Sequence, residues 1–202
     1  MKYKCITGGP ISENCYLLID EKTNQAAVVD PGFLNDVLLN EIKKYTVQRI
    51  LLTHGHFDHI WEADRLHEML GVPVCAYETE AAFAADDKQN GSLLMMYESI
   101  TCKVHEAFKD GETFQIGEVP VTVLHTPGHT AGGVSYITPD AVFTGDTLMG
   151  YSVGRCDLPT GNSAELSESL KKLAALPGNP DICGGHGSVT TLEDEKRRNP
   201  YL

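Results

Sequence analysis

The sequence has no long apolar run, no closely spaced cysteine pair and no excess of basic residues. Its hydrophobic stretches all fall short of the about 20 residues that a membrane span needs, and residues 1–10 lack the apolar core of a signal peptide. Lys and Arg total 16 against 28 Asp and Glu, a formal net charge of −12. A charge of that sign opposes nucleic acid or an anionic membrane surface as a partner. We therefore predict a cytoplasmic protein that binds neither nucleic acid nor membrane.

Six cysteines are spread along the chain, and none forms a C-x-x-C pair. A secreted disulfide scaffold would be shorter and richer in cysteine. We interpret most of the cysteines as small buried hydrophobic residues in a reducing compartment. The length of 202 residues, with 42% apolar and 22% charged residues, predicts one globular domain over residues 1–202.

The hydrophobic pattern alternates between the period of strands and the period of helices. Short apolar runs separated by turn residues predict an antiparallel meander over residues 2–30. Helical spacing predicts helices near residues 37–45, 60–70 and 163–176, and Thr190-x-x-Glu193 has the spacing of a capping box for a last helix. This order of elements predicts an α/β fold. Further strands are predicted at residues 49–53, 74–77, 119–124, 134–137 and 141–144.

The strongest chemical signal is a run of four potential metal ligands directly after a predicted strand. Residues 53–59 read Thr-His-Gly-His-Phe-Asp-His. Neutral imidazole and carboxylate are ligands that Zn and Fe favour, and the intervening glycine lets His54 and His56 converge. Asp58 and His59 begin the following helix and can point to the same opening. One short segment can therefore serve two metals.

Three further residues of ligand type follow other predicted strands. Each lies in a glycine-containing turn just past a strand, where α/β proteins hold their sites. They are His129 in Thr-Pro-Gly-His, Asp146 in Thr-Gly-Asp and His186 in Gly-Gly-His. Alone, each is a weak signal, because a single histidine in a loop is commonly a solvated surface residue. Together they complete the set that the first run begins.

With Val-Asp-Pro-Gly at residues 29–32, these motifs resemble those of the metallo-β-lactamase-fold hydrolase superfamily, in the same order, over residues 29–187. The resemblance implies an αβ/βα four-layer sandwich of two mixed β-sheets flanked by helices, with the metals at one edge. It also implies two divalent metal ions, Zn being the first expectation and Fe or Mn the alternatives. Asp30 would orient the site. One ion would be held by His54, His56 and His129, the other by Asp58, His59 and His186, and Asp146 would bridge them.

Within the superfamily, residues 144–148 (Thr-Gly-Asp-Thr-Leu) and 154–157 (Gly-Arg-Cys-Asp) resemble the glyoxalase II and persulfide dioxygenase branch. Only 16 residues follow His186, too few for the C-terminal helical domain that binds glutathione in full-length glyoxalase II. The chain thus resembles the short, hydroxyacylglutathione hydrolase-like branch. We expect it to lack the helical domain and to prefer glutathione only slightly.

The implied activity is metal-dependent hydrolysis of a small-molecule thioester, such as a hydroxyacyl thioester. Two divalent ions about 3.5–4 Å apart can hold one hydroxide between them. It would attack the acyl carbon, with Asp58 as the catalytic residue that accepts its hydrogen bond. The alternative is a persulfide dioxygenase of the same fold, which uses one iron held by two histidines and one aspartate. The intact set Asp58, His59 and His186 favours hydrolysis.

Two other classes stay open, namely other hydrolases of the superfamily, lactonases included, and a metal-binding module without activity. The sequence identifies neither the substrate-binding residues nor the oligomeric state. His125 and Cys183 are interpreted as structural, and Arg155 is expected to pair with Asp157. Residues 93–97 have the composition of a core segment, with an apolar lip of the active site as the alternative.

Overall fold

Two six-stranded sheets form the centre of the computed structural model, which describes residues 1–202. The strands are β1 (Lys2–Gly8), β2 (Glu13–Asp20), β3 (Gln25–Val29), β4 (Thr46–Leu51), β5 (Val74–Tyr77), β6 (Glu106–Phe108), β7 (Thr113–Ile116), β8 (Val119–His125), β9 (Val134–Ile137), β10 (Ala141–Gly145), β11 (Asp181–Gly184) and β12 (Thr190–Thr191). The helices are α1 (Asp36–Ile42), α2 (Phe57–Ile60), α3 (Ala63–Leu70), α4 (Glu80–Ala84), α5 (Ser92–Met95), α6 (Ser163–Ala174) and α7 (Leu192–Arg198).

Each sheet mixes parallel and antiparallel pairs. In the first sheet, ordered β1-β2-β3-β4-β5-β6, the first three strands form the predicted antiparallel meander and the next pairs are parallel. In the second sheet, ordered β12-β11-β10-β9-β8-β7, only β10 and β11 are parallel. Because parallel strands end at the same edge, the carboxyl ends of β3 and β4 lie together, as do those of β10 and β11.

The side chains of β2 show how the four layers are built. Every residue of this strand is buried, because the strand is covered on both faces. Tyr16 and Leu18 pack between the two sheets, whereas Leu17 and Ile19 pack under the helices that cover the first sheet. A third apolar cluster, which includes Leu170 of α6, covers the outer face of the second sheet. The predicted sandwich of two mixed sheets flanked by helices is confirmed.

Hydrogen bonds between the sheets close the sandwich at the edge where β4 and β11 end. The hydroxyl of Tyr16 donates to the Gly184 carbonyl over 2.7 Å, and that of Tyr136 donates to the Leu52 carbonyl over 2.8 Å. The backbone N–H of Asn14 donates to the Gly185 carbonyl over 2.7 Å. These bonds fix the loops of one sheet against those of the other, which a site built from both sheets requires.

Short elements account for most departures from the predicted secondary structure. The helix predicted over residues 60–70 is two helices, α2 and α3, and it begins earlier, at Phe57. Strands β6, β7 and β12 were not predicted, because runs of two to four residues are too short to show a period. The predicted cap at Thr190 is wrong by one residue. The hydroxyl of Thr191 accepts a hydrogen bond from Asp194 N over 3.3 Å, whereas Thr190 lies in β12 and donates to Glu195.

The segment at residues 93–97 is not a core segment, contrary to the first interpretation of its composition. It contains the end of α5 and lies on the surface, with Leu94 65% exposed and Tyr97 90% exposed. Composition alone could not separate these outcomes, because the position of the helix depends on contacts with distant residues. No helix of the chain combines the length and the apolar character that crossing a membrane demands.

Phe143 tests the contribution of the layer between the sheets to stability. Its ring is fully buried and meets the rings of Tyr16 and Tyr3 edge to face, with centroids 5.3 and 5.8 Å apart. We expect Phe143→Ala to lower the free energy of unfolding by about 3–5 kcal/mol in urea denaturation. Val37→Ala, at a position 61% exposed on α1, should change it by less than about 0.5 kcal/mol. Equal losses would contradict this account of the core.

Candidate metal centre

The structure brings all seven predicted ligand residues together at the edge where the strands of both sheets end. Each side chain is carried by a loop or helix that directly follows a strand, so the sheets position the site. His54, His56, Asp58 and His59 follow β4, and His129, Asp146 and His186 follow β8, β10 and β11.

Three histidines form a first set of donor atoms. Ring nitrogens of His54, His56 and His129 lie within 4.8 Å of one another, and all three residues are buried. The Nδ1 atom of His56 is 2.8 Å from the Nε2 atom of His129. The Nε2 atom of His54 is buried without a hydrogen-bond partner. Buried polar atoms are normally paired, so this set fits a cation as the missing partner.

A carboxylate and two histidines form the second set. The Nε2 atom of His186 lies 3.1 Å from Asp58 Oδ2, and that of His59 lies 3.3 Å from the same oxygen. Nε2 of His59 is also buried with no hydrogen-bond partner. This set, unlike the first, includes a negative charge.

Asp146 lies between the two sets. Its Oδ1 is 3.5 Å from His59 Nε2 in the second set. Its Oδ2 is 3.6 Å from His129 Nε2 in the first set and 3.7 Å from His186 Nε2 in the second. Oδ1 has no hydrogen-bond partner. Of the carboxylates in the site, this one therefore faces donor atoms of both sets.

The approach of Asp146 depends on two glycines. Gly145, at the end of β10, has a φ of +49°, and a Cβ there would collide with the Thr53 side chain. A Cβ on Gly185 would collide with Asp146 Oδ1. Residues without a side chain are thus required where β10 and β11 bring their loops against the first sheet.

Asp30 holds the rings of one histidine from each set. Its Oδ2 accepts hydrogen bonds from His59 Nδ1 over 3.0 Å and from the Thr53 hydroxyl over 2.6 Å, and its Oδ1 accepts from Thr53 N over 2.7 Å. Because the Thr53 hydroxyl gives its one proton to Asp30, it accepts from His54 Nδ1, which is 3.1 Å away. Both rings therefore turn an Nε2 lone pair towards the site. The side chain of Asp30 is also within 4.8 Å of ring nitrogens of His54 and His59, but these hydrogen bonds occupy it.

Other groups orient the remaining loops. The Nδ1 atom of His129 donates to the Arg155 carbonyl over 2.8 Å, which leaves Nε2 free to face the site. The buried carboxylate of Glu80 accepts from the backbone N–H of Gly55 over 2.9 Å and from that of Gly132. Glu80 thus ties the loop of His54 and His56 to the loop that follows His129. The sequence carried no signal for Glu80, because nothing separates it from the surface acids around it.

The two sets differ in their electrostatics. Burial, reinforced by the neighbouring histidines, holds the pKa of His54 well below its usual range and lowers the pKa of His56 to about 3. Burial also opposes protonation of His59 and His186, but nearby carboxylates, Asp58 among them, raise the pKa of both. The shifts therefore favour the neutral, metal-binding form of His54 and His56, whereas they favour protonation of His59 and His186, which a metal ion would have to displace.

The donor set fits divalent metal ions. It is composed of imidazole nitrogens and carboxylate oxygens, the ligands of Zn, Fe and Mn, and three of its buried inward atoms lack any other partner: His54 Nε2, His59 Nε2 and Asp146 Oδ1. The outward nitrogens of His54, His59 and His129 are occupied by hydrogen bonds, as is typical of metal-binding histidines. The chain thus has the composition and arrangement of a metal-binding site.

The residues that the sequence analysis treated as structural lie outside this set. His125 stacks on Tyr77, with ring centroids 4.2 Å apart. Cys183 is buried between the sheets. Arg155 donates to both carboxylate oxygens of Asp157, over 2.6 and 2.7 Å.

A cavity of about 190 Å³ opens over the predicted ligands. Its walls include His56, Asp58, His129, Asp146 and His186, and its mouth is bordered by apolar side chains that the sequence analysis did not assign to the site. They are Ile11, Met95, Met149 and Leu158. Met95 belongs to the segment for which an apolar lip was the alternative interpretation, and that alternative describes it correctly.

Relatives in sequence have the length of this chain. The chain is 36% identical over 208 residues to the probable metallo-hydrolase YqgX of Bacillus subtilis, covering 100% of this chain and 98% of the relative. It is 32% identical over 209 residues to the hydroxyacylglutathione hydrolase GloC of Haemophilus influenzae, with the same coverage. Relatives of this length therefore include proteins named as metallo-hydrolases.

Solved structures share the whole fold. The crystal structure of BLEG-1 B3 metallo-beta-lactamase matches with a TM-score of 0.93 at 34% identity, covering 100% of this chain and 99% of that one. TTHA1623 in a di-iron-bound form matches with a TM-score of 0.84 at 33% identity, covering 98% and 100%. ETHE1 from Myxococcus xanthus matches with a TM-score of 0.81 at 30% identity, covering 99% and 84%. The family model described as Metallo-beta-lactamase superfamily matches residues 8–186. The chain belongs to the metallo-β-lactamase superfamily.

Proposed function

We propose that this metallo-hydrolase cleaves small-molecule thioesters, with a hydroxyacyl thioester as the substrate class and two divalent ions, Zn foremost, as cofactors. The observation that carries the proposal is the convergence of two complete donor sets on one carboxylate, Asp146. Four residues per set, with Asp146 shared, suffice for two ions and exceed what one ion needs. The name of the relative GloC supports the hydroxyacyl thioester. Location in the cytoplasm and a single domain stay predictions.

In this proposal His54, His56 and His129 would hold one ion, Asp58, His59 and His186 would hold the other, and Asp146 would be shared between them. When bound, such ions lower the pKa of water towards neutrality and polarise a carbonyl group. The protein then has to position the water and the ester. No Ser or Cys nucleophile is required, and Cys183, buried behind the site, is not available as one.

Asp58 is the residue proposed to orient the attacking water. It lines the cavity, and its Oδ2 is turned inwards between the imidazoles of His59 and His186. An ionised carboxylate accepts a hydrogen bond from water and so directs a lone pair at the acyl carbon. Burial raises the pKa of Asp58, but His59 and His186 outweigh this and lower it, so the carboxylate is ionised at neutral pH.

The second candidate is a persulfide dioxygenase, favoured by the similarity to ETHE1 from Myxococcus xanthus. One iron held by two histidines and Asp146 would use only part of the donor atoms. The donor atoms of Asp58, His59 and His186 also lie within 4.8 Å of one another. Hydrolysis with two ions gives this second set a role, whereas a single iron would leave it unused. We therefore favour the hydrolase.

Metal content and activity, measured together, distinguish the two candidates. We expect purified protein saturated with Zn, Fe or Mn to retain about two ions per chain and to hydrolyse a lactoyl thioester, with no oxygen uptake when a persulfide is added. Elemental analysis and an oxygen electrode supply the measurements. One ion per chain after saturation, together with persulfide-dependent oxygen uptake, would overturn the proposal in favour of the dioxygenase.

Asp146→Ala should be more damaging than the loss of any single histidine of the site. The variant loses the carboxylate that faces both sets, so both ions bind more weakly. We expect kcat/KM to fall by more than the about 10–100-fold that the loss of an outer hydrogen-bond partner of a metal ligand typically costs. His186→Ala, which removes a ligand from one set only, is the matched variant. An Asp146→Ala protein with normal metal content and turnover would refute the bridging role.

Asp30→Ala should weaken metal binding although Asp30 is not a proposed ligand. Without its carboxylate, His59 and, through Thr53, His54 lose the hydrogen bonds that orient their rings. We expect metal affinity, measured by competition with a chromophoric chelator, to fall by about 10–100-fold. Asp20→Ala is the control. Asp20 is also buried and hydrogen-bonded, but it lies at the carboxyl end of β2, at the edge of the sheet opposite the metal site. Equal metal affinities in the two variants would rule out the orienting role.

A further inference from the structure

An apolar rim borders the mouth of the cavity over the predicted ligands. We use this name for the side chains of Ile11, Met95 and Leu158, which come from the turn before β2, from α5 and from the loop before α6. Ile11 is 43% exposed and Met95 is 44% exposed. Single exposed apolar residues are ordinary, but three that converge from distant segments on one opening are typical of a binding surface.

The rim offers an anionic group no unpaired Lys or Arg side chain, and positive charge would come only from the two ions proposed deeper in the cavity. Arg155 is the one Lys or Arg among the residues that line the cavity. Both oxygens of Asp157 accept hydrogen bonds from its guanidinium, so Arg155 is already neutralised. The chain as a whole carries a formal net charge of −12. A neutral, apolar group is therefore the better partner for the wall that the rim presents.

We propose that the apolar rim binds the aliphatic tail of the substrate's acyl group, which makes thioesters with acyl chains of about four to six carbons the preferred substrates. This inference rests on the proposed thioester hydrolysis. We choose the acyl group as the occupant because the cavity is too small to enclose the whole substrate. A cavity of about 190 Å³ is smaller than the about 300–1,000 Å³ of pockets that enclose whole ligands. It accommodates a short chain beside the reacting carbonyl and leaves a peptide-sized thiol carrier outside.

The test varies the acyl chain and keeps the thiol constant. The two probes are 2-hydroxypropanoyl and 2-hydroxyhexanoyl thioesters of N-acetylcysteamine, hydrolysed by the metal-loaded enzyme. Each fully buried methylene is worth about fourfold in binding. Because the rim is half exposed, three added methylenes should raise kcat/KM by about 10-fold. Lengthening the thiol by the same number of methylenes should have little effect.

Three variants test whether the preference for the longer acyl chain depends on the rim. Met95→Ser and Leu158→Ser lie in separate segments, and each should reduce the preference for the longer ester to about threefold. Leu94→Ser is the matched control, since Leu94 is the neighbour of Met95 on α5 but is 65% exposed and does not line the cavity. It should leave the ratio unchanged.

The outcomes separate this inference from the proposed function. Three results would overturn the role of the rim and leave thioester hydrolysis standing. They are equal kcat/KM for the two esters, a ratio between the esters that is unchanged in both rim variants, and an effect of chain length that is seen only when the thiol is lengthened. Hydrolysis of neither ester by enzyme with its full metal content would overturn the proposed function, and the inference with it.

Discussion

A neutral imidazole presents a lone pair to a metal when its other nitrogen keeps the proton, and an acceptor for that proton fixes the orientation of the ring. In this protein Asp30 fills that role for one histidine of each donor set, directly for His59 and through the Thr53 hydroxyl for His54. Asp30 itself adopts a φ of +50° just beyond the end of β3, a conformation that aspartate tolerates better than most residues. One residue outside the two sets therefore orients a histidine in each of them.

The site also requires that loops from the two sheets meet within a few ångströms of each other, and the packing of the sandwich achieves this. Parallel strands bring their carboxyl ends to one edge, and hydrogen bonds from Tyr16 and Tyr136 tie the two sheets together there. Asp146 can lie between the sets because Gly145 and Gly185 leave room for the approach. The core between the sheets and the geometry of the site are thus consequences of the same packing.

Much of the site could be predicted because its ligands have local signatures. The run from His54 to His59 concentrates four of them in one loop, and His129, Asp146 and His186 each follow a recognisable strand and glycine turn. The role of Glu80 could not be predicted, because it depends on two glycine amides that lie far apart in sequence. For residues 93–97 the sequence left a core segment and an apolar lip as alternatives, because core segments and binding surfaces share an apolar composition.

The central claim is that Asp146 holds two ions side by side, and X-ray absorption at the metal edge tests it most directly. For protein loaded with two equivalents of Zn, the account predicts metal–metal scattering at about 3.5–4 Å that disappears in Asp146→Ala. A fully loaded protein whose Zn sites show only nitrogen and oxygen neighbours, with no metal at that distance, would contradict it.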